Sequence, residues 1–84
     1  MQRILDCRGL QPPEPLVRIV AELDKLNASD RLEAWLDRRP LMLFPELAER
    51  NLAYCCDRHP GGAYIVRITA REEDLDCDMR AETT

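Results

Sequence analysis

One histidine, His59, and four cysteines with no Cys-x-x-Cys pair leave the chain without the ligand spacing of a zinc site, and no metal or other cofactor is expected. No apolar run approaches the roughly 18 residues that a membrane span requires. Residues 1–30 lack a basic start followed by an apolar core, so no secretory leader is read, no membrane association is expected, and the expected compartment is the cytoplasm. Clustered basic residues are scarce too. The formal net charge is −4, acidic residues crowd the C-terminal end, and only Arg38-Arg39 stands against that balance. Nucleic acid is therefore not the expected partner, because phosphate binding relies on grouped Lys and Arg. No Ser/His/Asp set, phosphate-cradling glycine loop or spaced carboxylate pair stands out, and the residues point away from an enzyme.

What is present describes one small globular domain. A chain of 84 residues buries about 60–65% of its unfolded surface and has no room for a large internal cavity. Its 45% apolar and 33% charged content is that of an ordinary folded protein rather than a disordered one. Cys7, Cys55, Cys56 and Cys77 would make two disulfides in a secreted chain. Cys55 and Cys56, however, are neighbours that point to opposite faces of a strand, and the expected compartment is reducing, so free thiols are the better reading.

Residues 3–7 read as a strand with Leu5 and Cys7 on one face. From Pro15 to about Leu26 the apolar residues Leu16, Ile19, Val20, Leu23 and Leu26 recur at helical spacing, with Arg18, Glu22 and Lys25 opposite; Asn27-Ala28-Ser29-Asp30 ends the helix. Residues 31–37 alternate, with Leu32, Ala34 and Leu36 facing a core and Glu33, Trp35 and Asp37 facing away. Pro40 and Pro45 bracket a turn over Arg39 to Met42 and a helix from about Leu43 to Arg50, with Leu43, Phe44, Leu47 and Ala48 on the core side. Asn51 falls where a helix end tolerates the left-handed conformation. Leu52 to Asp57 and Ala63 to Arg71 read as strands joined by the reversal His59-Pro60-Gly61-Gly62, the last with Tyr64, Val66, Ile68 and Ala70 on one face. The order β-α-β-α-β-β, with right-handed crossovers, predicts an α/β two-layer sandwich: a mixed four-stranded sheet with two helices on one face and the other face open. The domain is expected over residues 1–71, and residues 72–84 form an acidic tail.

The stretch that organises the chain runs from Leu5 to Leu16: Leu-Asp-Cys-Arg-Gly-Leu-Gln-Pro-Pro-Glu-Pro-Leu. Gly9 permits a tight turn out of the first strand, and prolines belong in the first turn of a helix, where an N–H has no intrahelical partner. The helix is expected to start between Pro13 and Pro15, its free N–H groups turned toward the junction. Leu-Asp-x-x-Gly-Leu-x-x-Pro-x-Pro, from Leu5 to Pro15, resembles the opening motif of the TusA/SirA-like small sulfur-carrier superfamily. It is closer still to an uncharacterised sister family with Leu-Asp-x-Arg-Gly-Leu-x-Pro-Pro-x-Pro, whose second helix is similar to Pro45-Glu46-Leu47-Ala48-Glu49-Arg50. The resemblance implies the strand order 1-2-4-3, similar to the C-terminal domain of translation initiation factor three. It also implies that the residue holding the persulfide in the carriers is, in this chain, Pro12. Many of the sister family have histidines ahead of the proline matching Pro40, which hints at a metal or haem role; here Leu36-Asp37-Arg38-Arg39 stand there, and no metal role carries over.

A carrier thiolate needs exposure and a lowered pKa, which a helix N-terminus supplies. Cys7 is the nearest substitute for the missing one, against which stands its parity with Leu5 and the frequency of small buried cysteines in cores. Cys55 or Cys56 is accessible from one face but has only Arg58 as a basic neighbour, Cys77 has Asp76 and Asp78 beside it, and His59 reads as a loop residue. Asp6, Arg8, Gly9, Pro12, Pro13 and Glu14 crowd the first junction, with Arg38 and Arg39 at the end of the second strand. Together they make a site for a small anion or a partner's carboxylates, unless Asp6 and Glu14 pair with those arginines in ion pairs of purely structural value. Ile4, Trp35 and Ile65, on the open face, are candidates for an apolar patch that supports self-association. The expected function is a small TusA-like binding or regulatory module that recognises a protein partner or small anion at the first junction. The alternatives are sulfur transfer or redox chemistry at Cys7, and a dimeric structural subunit.

Overall fold

The computed structural model describes residues 2–75. Four strands, β1 (Gln2–Asp6), β2 (Arg31–Leu36), β3 (Ala53–Arg58) and β4 (Tyr64–Thr69), and two helices, α1 (Glu14–Leu23) and α2 (Leu43–Glu49), follow in the order β1-α1-β2-α2-β3-β4, and a 3-10 turn over Glu72–Asp74 closes the described chain. The sheet order is β1-β2-β4-β3, with β1 and β2 parallel and β4 antiparallel to both its neighbours. None of the helices among the described residues is long and apolar enough to cross a membrane.

Both helices lie on one face of the sheet. Ile19 and Leu23 of α1 and Leu43 and Leu47 of α2 form one buried cluster with Leu32, Ala34 and Leu36 of β2, Val66 and Ile68 of β4, and Cys7. The architecture is the expected two-layer sandwich. α1 ends three residues sooner than its apolar spacing predicts, because after Leu23 the chain tightens into i→i−3 bonds from Lys25 to Glu22 and from Leu26 to Leu23. Leu26 still packs on the core from outside the helix. The Asp30 carboxylate then accepts the Asn27 N–H at 3.0 Å, a local turn that competes with further helix and delivers the chain to β2.

Two expectations about faces change. Ala48, assigned to the core side of α2, is exposed; the helix is short, Leu43 and Leu47 are its buried residues, and Phe44 packs against the core beside them. In β4 the face opposite the helices is also buried: Ile65 is only 5% exposed and Thr69 only 1%. On that face Ile65 is flanked in register by Trp35 of β2 and Asp57 of β3, and Thr69 by Arg31 and Ala53. β2, which also has neighbours on both sides, keeps its alternation, so burial on both faces is a feature of β4.

Backbone positions needing a left-handed conformation fall where the sequence has small or turn-forming residues. Gly62 (φ 102°) closes the β3-β4 hairpin, where its N–H reaches the His59 carbonyl at 2.8 Å and the His59 N–H reaches the Ala63 carbonyl at 2.7 Å. Asn51 (φ 56°) ends α2, with its N–H on the Ala48 carbonyl at 3.0 Å. A β-branched side chain tolerates that geometry poorly, so Asn51→Val is expected to lower the unfolding free energy by about 1–2 kcal/mol, read as a shift in denaturant midpoint without a change in slope.

Candidate functional site

The parallel pairing of β1 with β2 sets the site. Past the last paired residues, Asp6 and Trp35, the Cys7 N–H donates to the Trp35 carbonyl at 2.8 Å, and Leu10 returns a longer bond to the Cys7 carbonyl. Gly9 takes a positive φ of 85° in this turn. Its N–H donates to Asp37 Oδ2 at 2.6 Å, which ties the turn to the first residue beyond β2. The loop after β1 and the loop after β2 are thus held side by side, and between them and the start of α1 lies a groove of about 590 Å³.

The groove is apolar at its base. Cys7, Ile19, Leu36 and Leu43 are buried there, and Leu10, Pro15, Leu16 and Pro40 are half-buried along its sides. Its exposed rim carries Gly9, Pro12 and Pro13 from one loop and Arg38 and Arg39 from the other. Beside the arginines stand Leu41 and Met42, 66% and 74% exposed. Among the described residues Arg38 and Arg39 make no ion pair. Arg39 lies 5.8 Å above the Phe44 ring, which in turn stacks on Tyr54 at 5.2 Å. Stacking of this kind leaves the edge of the guanidinium free to donate.

The prolines shape the chemistry as much as the geometry. Pro15 has no N–H, and the Glu14 N–H is taken by the Gln11 carbonyl at 2.9 Å, so Leu16 has the one N–H that the first three residues of α1 could offer. A helix start with several free donors, as expected from the sequence, is not what these residues build. An anion at this groove would depend on Arg38 and Arg39.

Of the eight residues assigned to the junction, Gly9, Pro12, Pro13, Arg38 and Arg39 line the groove; Asp6, Arg8 and Glu14 do not. Glu14 is held by Arg18 one turn along α1, at 2.9 and 3.1 Å. Asp6 and Arg8 share the strand parity of Ile4 and so emerge on the other side of the sheet. There the Arg8 guanidinium forks onto the Asp6 carboxylate at 2.9 and 2.7 Å and lies 5.0 Å above the Trp35 ring. Cys7, between them, turns inward and is 1% exposed. Burial pushes its thiol up from the ordinary range, which keeps the neutral form at neutral pH.

Asp37 escaped notice in the sequence because its alternation placed it on the open face with Glu33 and Trp35. β2 ends at Leu36, and the carboxylate is released to reach Gly9. An acidic residue directly after a strand and before Arg-Arg-Pro was the available signal.

The open face has a different character. The Trp35 indole donates to Glu33 Oε2 at 2.6 Å, Arg67 pairs with Asp57 at 2.5 Å and approaches Glu33 at 3.7 Å, and His59 lies 5.2 Å from Trp35. Of the three apolar residues expected there, Ile4 is 66% exposed, Trp35 half-buried and Ile65 buried. Cys55 faces this side across from Arg67, while Cys56 packs against the helix-side core. Cys77 lies outside the described residues.

A family model described as an uncharacterized conserved protein, DUF2249, matches residues 4–70. No curated protein sequence matches. Among solved structures, the SirA-like protein of Desulfitobacterium hafniense superposes with a TM-score of 0.73, covering 81% of this chain and 96% of that one at 18% identity. That likeness shows the fold.

The Arg8 guanidinium, and after it the Arg8 backbone N–H, which donates to Asp6 Oδ1 at 3.1 Å, hold the Asp6 carboxyl down from 3.8 to about 2. A carboxylate depressed in the folded state contributes stability that is full above its unfolded pKa and is lost as pH falls through the folded one. Stability profiles of wild type and Asp6→Asn are expected to differ above about pH 4 and to converge as the pH approaches 2. Chemical denaturation across that window checks this.

Proposed function

Because the chain belongs to the DUF2249 family and has a SirA-like fold, we propose that it is a small TusA-like binding or regulatory module without sulfur-carrier chemistry. Its site is the groove between the β1-α1 and β2-α2 loops, where it recognises a protein partner or a small anion. The observation that carries this reading is the rim itself. By the motif resemblance the carriers hold their sulfur at the position of Pro12, which here is exposed at the edge of a groove whose rim has no thiol among the described residues. The groove nevertheless has two arginines that no described carboxylate engages, which suits recognition of an anionic group.

Cys7 is the basis of the competing reading, in which the protein transfers sulfur. Its burial and its raised pKa weigh against that reading, since the nucleophile in persulfide chemistry is an exposed thiolate. Self-association through the open face gains little support, because Ile65 is buried and the centre of that face is occupied by the Glu33-Arg67-Asp57 network.

Incubation of the purified protein with a cysteine desulfurase and sulfur-labelled cysteine is expected to leave no stable persulfide on any cysteine; a persulfide on Cys7 or another thiol overturns the proposal. Alkylation of the native protein, followed by peptide mass analysis, separates the two readings further. Cys7 is expected to stay unlabelled until the chain is unfolded, whereas native labelling with an apparent pKa below the ~8.5 of a free thiol would favour the carrier.

A further inference from the structure

Resting on the reading of the groove as a binding site, we infer that its ligand is a free amphiphilic anion: an alkyl or aryl body lodged in the groove, with a carboxylate, phosphate or sulfonate head at Arg38 and Arg39. The volume of about 590 Å³ lies inside the roughly 300–1,000 Å³ of small-molecule sites, which are typically apolar with a few placed polar groups. This groove has that composition, with Arg38 and Arg39 together on one loop of its rim.

Much of the backbone around the groove has no N–H to offer a ligand. Pro12, Pro13, Pro15 and Pro40 have no N–H. The N–H groups of Cys7, Leu10, Leu41 and Leu43 are taken by the carbonyls of Trp35, Cys7, Arg39 and Pro40, and that of Gly9 by Asp37. A peptide laid here would bury its own amides with few partners, which is penalised, whereas a hydrocarbon body has no amide to satisfy. A methionine and a leucine exposed at the rim, Met42 and Leu41, are adaptable apolar surface that such a body covers.

The sign of the head follows from the charges at the rim. Asp37 is the acidic residue of the lining, and it is engaged by the Gly9 N–H. Arg38 and Arg39 are adjacent, exposed and without an ion pair among the described residues, in a chain with 16 acidic residues against 12 basic. Guanidinium groups left in this state accept a carboxylate, phosphate or sulfonate in a forked pair. An ammonium amphiphile would meet two like charges and lose affinity.

Calorimetric titration of the full chain tests this with decanoate, kept below its micellar concentration, against decanol, decyltrimethylammonium and inorganic phosphate. Decanoate is expected to bind at one site, at least about tenfold more tightly than decanol or the cationic amphiphile, and phosphate alone to give no measurable heat. The exposed double substitution Arg38→Gln/Arg39→Gln is expected to weaken decanoate about tenfold or more while leaving decanol unchanged, and Leu41→Ser to weaken both; circular dichroism confirms that each variant is folded. Absence of decanoate binding, equal affinity for decanol, or indifference to the arginine substitutions overturns the inference. So does binding that appears only with a capped Glu-Leu repeat peptide, or only with phosphatidylglycerol vesicles. Any of these outcomes leaves the non-carrier module standing, because the persulfide measurement reads that separately.

Discussion

Two hydrogen bonds at the carboxyl ends of β1 and β2 hold the groove end of this molecule together. The Cys7 N–H on the Trp35 carbonyl extends the parallel ladder by one step, and the Gly9 N–H on the Asp37 carboxylate then fastens the following turn to the neighbouring loop. Gly9 can present its N–H in this way because it adopts a conformation that is costly to residues with a Cβ. Without that second bond the β1-α1 and β2-α2 loops would have no polar connection at this point, and the groove between them would lose one of its fixed sides. The groove is thus a consequence of strand pairing, opened where the ladder stops and the helices begin.

Parity at the end of β1 divides the surrounding chemistry. Asp6 and Arg8 point to the open face, where they pair with each other and cover Trp35, while Cys7 points into the core. Three residues adjacent in sequence therefore belong to two different environments. The open face is saturated: Trp35, Glu33, Arg67 and Asp57 engage one another, and such satisfied networks specify a structure more than they invite a ligand. The groove on the other side is the reverse, an apolar surface with prolines in place of donors and two cations at its rim.

Much of the fold was legible because it rests on local pattern. The alternation of Leu32, Ala34 and Leu36, the helical spacing of Leu16, Ile19 and Leu23, and the turn residues Gly9, Asn51 and Gly62 each report a backbone requirement met within a few residues. The site was legible only in part. Gly9, Pro12, Pro13, Arg38 and Arg39 meet at the groove, whereas Asp6 and Arg8 were misassigned by proximity in sequence, and Asp37 was hidden by an alternation that stops one residue before it. Ile65 shows the same limit from another side: its placement opposite the helices was readable, its burial was not.

By itself the sequence determined the elements, their order and the layer in which the helices lie, since composition and periodicity act over short range and need no knowledge of distant partners. The tertiary structure decided which thiol is shut in the core, which arginines have no ion pair among the described residues, and which donors at the start of α1 are already taken. Those depend on the strand that slots between β2 and β3 and on contacts between residues such as Gly9 and Asp37, far apart along the chain. Side-chain charge and backbone donors are intrinsic to a residue, but whether they are available is a property of what folds against them.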